Sequence, residues 1–323
     1  MHRAIYRLKL RAVAIFSLTL LAINNTQPFS GGRGGCGLIH AARVLFVGFV
    51  CFSASVWQAQ GTPLSERGLP VVYAPEPHLP VGSSAGSDPE LRRLAMSKKI
   101  LVVLTSVEKY PDLKRPTGLW LGEAVHFVQK VEAAGYEVDY VSPQGGYTPI
   151  DPHSLAEDMT SEIDWEWYHN KAFMNRLGAT LRPDQVNPDD YVAIYYAGGH
   201  GVIWDFPDNE QLQVLSRRIY ENGGVVSSVC HGAVGLLNIK LSNGQLLIKD
   251  KRVTGFSNEE EALVGLDKVV PYLTETELVK RGAHYQKADK PWAPFALEDQ
   301  RLVTGQNPAS GGAVADLVLA TLS

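Results

Sequence analysis

Cysteine is scarce in this chain: Cys36, Cys51 and Cys230 are the only three in 323 residues. Stapled secreted folds are built from paired cysteines, so a set this sparse excludes a disulfide framework. An excess of positive charge is also missing. The formal net charge is −4, which excludes the basic surface that nucleic-acid binding requires. No apolar run reaches the roughly 20 residues that span a bilayer comfortably. Internal repeats are absent, and no histidine or cysteine spacing asks for a metal. With 45% hydrophobic and 20% charged residues, the chain has the composition of an ordinary globular protein.

Two shorter apolar runs lie near the N-terminus. Arg3, Arg7, Lys9 and Arg11 precede residues 12–23, and Arg43 precedes residues 44–56. A basic flank, an apolar stretch and a small-residue exit are the parts of a secretory signal. The expectation is export, periplasmic or secreted, with the second run as the signal and translation starting later than Met1. An uncleaved anchor, a misassigned start codon and a cytoplasmic protein are the alternatives. Residues 61–97 are rich in Pro, Gly and Ser and bury too little apolar surface to offset ordering entropy. Three regions follow: a signal-like or anchoring segment over residues 1–60, a linker over 61–97, and a catalytic domain over 98–323.

Within that domain the pattern changes. Residues 99–105 (KILVVLT) form a continuous β-branched and apolar run, as in a strand buried on both faces of a parallel sheet. Leu121, Ala124, Val125, Val128 and Val131 recur at helical spacing and stop at Gly135. Further strands are expected at residues 136–141, 189–197, 225–229, 245–248, 252–255 and 301–304, with helices at 211–220 and 312–322. Strands alternating with helices predict an α/β fold, a mainly parallel sheet with helices on both faces. Functional residues should then gather at the carboxyl ends of the strands. Residues 147–188 fit the alternation poorly, and Trp165, Trp167, Tyr168 and His169 mark them as an inserted cap or interface segment.

The sharpest chemical signal is VVSSVCHGA, residues 225–233. A buried strand runs straight into a polar nucleophile and then into small residues, the pattern of a nucleophile elbow with Cys230 at its apex. A helix N-terminus behind the sulfur would favour a thiolate. The plainer alternative is a buried cysteine at a strand end. His231 adjoins the nucleophile, so its ring need not face the sulfur, although its N–H is placed to help hold an oxyanion. The strand end Gly198-Gly199-His200-Gly201 could bring backbone close to a substrate, or could be no more than a tight turn. Glu123 by itself reads as a first-turn glutamate favoured by the helix dipole. His126 and His200 read as structural or pocket-lining.

Four separated stretches, AGGHGVIWDFPD (197–208), GGVVSSVCHG (223–232), RVTGFSN (252–258) and LVTGQNPAS (302–310), closely resemble the ThiJ/PfpI superfamily. Within it the chain is similar to the branch of glutathione-independent glyoxalases III and heat-inducible chaperones. The resemblance spans nearly all of residues 98–323 and implies a flavodoxin-like sandwich of the class I glutamine amidotransferase type. Carried over by position, Cys230 is the nucleophile and His231 its partner. Glu261 orients the histidine, with its neighbour one position away, Glu260, as the alternative register, and Glu123 contacts the sulfur. Gly199 and His231 supply the oxyanion N–H groups, and His200 and Trp292 lie beside the substrate.

The implied activity is conversion of methylglyoxal, or a similar 2-oxoaldehyde, to D-lactate through a Cys230 hemithioacetal, with no cofactor and no metal. A deglycase or peptidase would use the same thiol. The non-enzymatic alternative is a holding chaperone or redox sensor, with unfolded proteins as clients; a homodimer is a further expectation. A glutaminase is disfavoured, because its catalytic His-x-Glu should lie downstream of the cysteine and His284 is followed by Tyr285-Gln286.

Overall fold

The structure is a computed structural model and describes residues 99–323. The expectations for residues 1–60 and 61–97, and the cysteines Cys36 and Cys51, lie outside the described residues. Among the described residues no helix is long and apolar enough to cross a membrane.

Six strands form the central sheet: β1 (Lys99–Val103), β2 (Glu137–Val141), β3 (Ala193–Tyr196), β4 (Val225–Val229), β7 (Ala296–Asp299) and β8 (Leu302–Gly305). Their order is β2-β1-β3-β4-β8-β7, parallel throughout except for the antiparallel edge strand β7. Two residues each of β5 (Arg252–Val253) and β6 (His284–Tyr285) make a separate parallel pair. This is the doubly covered flavodoxin-like α/β sandwich expected from the sequence.

The continuous apolar runs arise because each strand feeds two cores. Ile100, Val102 and Tyr195 face one side, and Leu101, Val103, Ile194 and Tyr196 face the other, as the period of two dictates. On the first side lie α1 (Leu121–Ala133) and the C-terminal helix α8 (Gly311–Leu322), packed on each other. The Phe127 ring stacks on Tyr195 at 3.7 Å, and the Tyr195 hydroxyl donates to the Glu123 carbonyl at 2.8 Å. That pair ties the first turn of α1 to the middle of the sheet. The second side carries α5 (Glu210–Glu221), whose Leu212, Leu215 and Ile219 are buried.

Residues 147–188 divide their work. Asp151, His153, Asp158 and Met159 line a cavity that Cys230 also lines. Helices α2 (Glu162–Tyr168) and α3 (Lys171–Leu177) follow, with Phe173 and Leu177 buried beside Tyr140. Trp167 meets Phe173 edge-on at 5.0 Å, while Trp165, 37% exposed, keeps part of its ring in solvent.

One expected strand is absent, and one strand was not expected. Residues 245–248 form no strand: Leu246 makes an isolated bridge to Lys240, while Leu247 and Ile248 plug the second core. The short turn leaves no room for a ladder, and the apolar run is explained by burial alone. Strand β7 was not foreseen, because ALED has the mixed polarity of an edge.

Candidate active site

Cys230 stands where β4 ends, at a φ of 57° and only 3% exposed. The left-handed backbone is unfavourable for a side chain with a Cβ, and such strain is stored where the surrounding structure enforces it. Enforcement comes from the hydrogen-bonded β4 on one side and a tight 3-10 run, Cys230–Leu236, on the other. A Cβ on Gly232 would come within 2.2 Å of the Tyr196 carbonyl oxygen, so only glycine lets the turn pass beneath β3. The elbow read from VVSSVCHGA is therefore present, although a 3-10 turn follows it where an α-helix was expected.

The His231 ring faces the sulfur, with Nδ1 at 3.4 Å from Sγ. Its Nε2 lies 2.6 Å from Glu261 Oε2. Glu261 in turn holds His200 Nε2 through Oε1 at 2.9 Å. Burial opposes ionisation of Glu261, but the electrostatic attraction of His231 and the hydrogen bonds from both histidines outweigh it and hold the carboxylate below its usual range. His200 is pushed down to about 4 by burial and by His231 next to it, so it is neutral at physiological pH. An ionised carboxylate only accepts hydrogen bonds, so both Nε2 atoms carry protons, and the imidazole tautomer this selects for His231 has its acceptor nitrogen, Nδ1, toward the thiol.

Glu123 approaches the sulfur from α1 and is fully buried. Its Oε2 accepts the Gly198 N–H at 2.7 Å, its Oε1 is buried with no hydrogen-bond partner among the described residues, and the carboxyl is electrostatically coupled to the Cys230 thiol. Burial raises Glu123 to about 8. A Cβ on Gly198 would fall 2.5 Å from Glu123 Oε2 and 3.1 Å from the Cys230 Cβ, which explains why a glycine stands here. The thiol departs from the sequence expectation of a thiolate favoured by a helix terminus. Burial and then Glu123 push it well up, with the His231 N–H as the opposing influence. Cys230 and Glu123 therefore compete for one negative charge and titrate as a pair.

The other residues singled out from the sequence fall around the same cavity, which has a volume of about 610 Å³. Gly199, His200 and Trp292 line it together with Cys230 and His231. The Gly199 N–H makes no hydrogen bond among the described residues. Glu261 is the glutamate that reaches His231, whereas Glu260 caps its own helix through Ser257 and Glu259 pairs with Lys287 at the surface. His126 also lines the cavity and pairs with Asp164 at 3.1 Å.

Phe256 was missed. Its ring lies 4.3 Å from that of His231, and its place just after β5, at the carboxyl end of a strand, was the available signal. His200, His231 and Glu261 form the only group among the described residues with ligand-type atoms gathered within 4.8 Å. The sequence asked for no metal. A cation on this group would displace the Nε2 proton of His231 and take away its base function at Nδ1.

The model of the DJ-1/PfpI family matches residues 121–321. The glutathione-independent glyoxalase HSP31 of Saccharomyces cerevisiae is 38% identical over 229 residues, covering 68% of this chain and 95% of that protein. Glyoxalase 3 of Candida albicans is 34% identical over 231 residues, covering 69% of this chain and 97% of its own length. The crystal structure of glyoxalase III from Candida albicans superposes with a TM-score of 0.66 at 32% identity, covering 71% of this chain and 98% of that one.

Proposed function

The chain belongs to the DJ-1/PfpI family, and we propose that it is a glutathione-independent glyoxalase that isomerises methylglyoxal, or a related 2-oxoaldehyde, and releases D-lactate. The observation that carries this is the pairing of Cys230 with two different proton carriers, His231 at 3.4 Å on one side and buried Glu123 on the other. A hydrolase needs one such partner. Moving a hydrogen between adjacent carbons needs a second. Relatives that this chain covers over 95% and 97% of their own length carry the glyoxalase name.

His231 Nδ1 takes the thiol proton as sulfur attacks the aldehyde carbon, C1. The alkoxide forms beside the N–H groups of Gly199 and His231 and takes the proton back, giving a neutral hemithioacetal. Glu123 then removes the hydrogen from C1 and returns it to C2, while His231 moves the hydroxyl proton from O1 to O2. The product is a lactoyl thioester on Cys230, and water releases lactate and the thiol. A carboxyl raised to about 8 suits this step, because its ionised form is a stronger base than an exposed glutamate and remains populated near neutral pH.

The test is incubation of the purified protein with methylglyoxal and no glutathione, with the product assayed by D-lactate dehydrogenase. Stoichiometric D-lactate is expected; methylglyoxal left unchanged would exclude the proposal. We also propose export, supported by the basic and apolar runs near the N-terminus; the N-terminal sequence of protein recovered outside the cytoplasm tests it.

A further inference from the structure

Adjacent glutamates on α6 (Asn258–Leu263) face opposite duties. Glu261 serves His231, while Glu260, fully buried, turns to the loop before β7. Its Oε2 accepts the Ser257 N–H and hydroxyl at 3.2 and 2.9 Å. Its Oε1 accepts the Trp292 N–H and the Asn307 side-chain amide, both at 2.9 Å. Asn307 also donates to the Ala293 carbonyl at 2.8 Å, so the loop is gripped on both sides of Trp292.

The grip has a visible cost. Trp292 is held at a φ of 66°, a region that a bulky side chain avoids. Its ring stays 44% exposed, so core packing does not repay that strain. The ring instead lies 5.8 Å from Phe256, which lies 4.3 Å from the catalytic imidazole. Leu263, 60% exposed, and Val264 line the same cavity. An apolar arm thus leads from His231 through Phe256 to the exposed Trp292, and Arg115, Asp151 and Asp158 line the cavity as well. A three-carbon substrate would fill a small part of the 610 Å³ and leave this arm untouched.

We propose that Trp292, clamped by Glu260 and Asn307, is the specificity-determining residue of this site, and that its arm receives the aryl or branched-alkyl substituent of 2-oxoaldehydes larger than methylglyoxal. This rests on the glyoxalase reading. The chemistry is unchanged: hydrogen passes from C1 to C2, O1–H becomes O2–H, and water releases the corresponding 2-hydroxy acid. Phenylglyoxal would give mandelate.

The experiment measures kcat/KM for phenylglyoxal and methylglyoxal with the wild-type protein and with Trp292→Ala, Trp292→Phe and Glu260→Gln. Taking the ratio of the two substrates within each variant cancels their intrinsic reactivities. Trp292→Ala should lower the phenyl-to-methyl ratio about tenfold, the scale on which an apolar pocket discriminates. Trp292→Phe should keep most of it. Glu260→Gln, which sets an amide N–H₂ against two donors, should lower it with the KM for phenylglyoxal rising more than kcat falls. Turnover of both substrates with the same ratio in wild type and Trp292→Ala would overturn the inference and leave the glyoxalase reading standing. Turnover of neither substrate would remove both.

Discussion

Glu261 gives one carboxylate oxygen to each of two histidines, Oε2 to His231 at 2.6 Å and Oε1 to His200 at 2.9 Å. The consequence is a fixed tautomer at His231 and a carboxylate that cannot rotate without losing one partner. Glu261→Gln keeps the shape but puts an N–H₂ against one of the two N–H groups. We expect kcat to fall by at least about tenfold, as in other triads whose acid is replaced by an amide, with KM little changed. His200→Phe leaves Glu261 Oε1 without its donor and should cost about 1–3 kcal/mol of stability, with part restored by Gln. Steady-state kinetics and thermal melts check both.

Glu123 makes stability depend on pH in a defined direction. Its folded value of about 8 lies above the ordinary 4.5 of a glutamate, so the folded protein binds the extra proton between those limits. Stability is therefore fully present below about 4.5 and is lost as pH rises toward about 8. Denaturant midpoints measured from pH 5 to 8 should fall for the wild type and fall less for Glu123→Gln. Parallel curves would place the carboxyl in contact with water.

The same carboxyl should govern thiol reactivity at alkaline pH. Above about 8 an ionised Glu123 repels a thiolate at Cys230. Alkylation of the Cys230 peptide by iodoacetamide, followed by mass spectrometry, should then be faster in Glu123→Gln than in the wild type. Equal rates up to pH 10 would show that the two groups do not share a charge.

Most of the sheet was legible because a strand buried on both faces is written as an unbroken apolar run, as at residues 99–105 and 225–229. Cys230 was legible because a polar residue between such a run and Gly232 has little packing purpose. What the sequence hid depends on side-chain direction. The His231 ring faces its neighbour's sulfur across a residue held at positive φ, and adjacency alone does not reveal that. Glu123 looks like a solvated first-turn glutamate until α8 and Gly198 close over it. Glu260 and Glu261 differ by one position along a helix, and only the fold shows which one turns toward the histidines.

The central claim, that Cys230 forms the covalent bond to substrate, is tested most directly by D-lactate formation from methylglyoxal in the wild type and in Cys230→Ser. Circular dichroism would show that both are folded. A hydroxyl is a far poorer nucleophile at neutral pH, so the rate should fall by about a hundredfold or more. A Cys230→Ser protein that makes D-lactate at the wild-type rate would contradict the account.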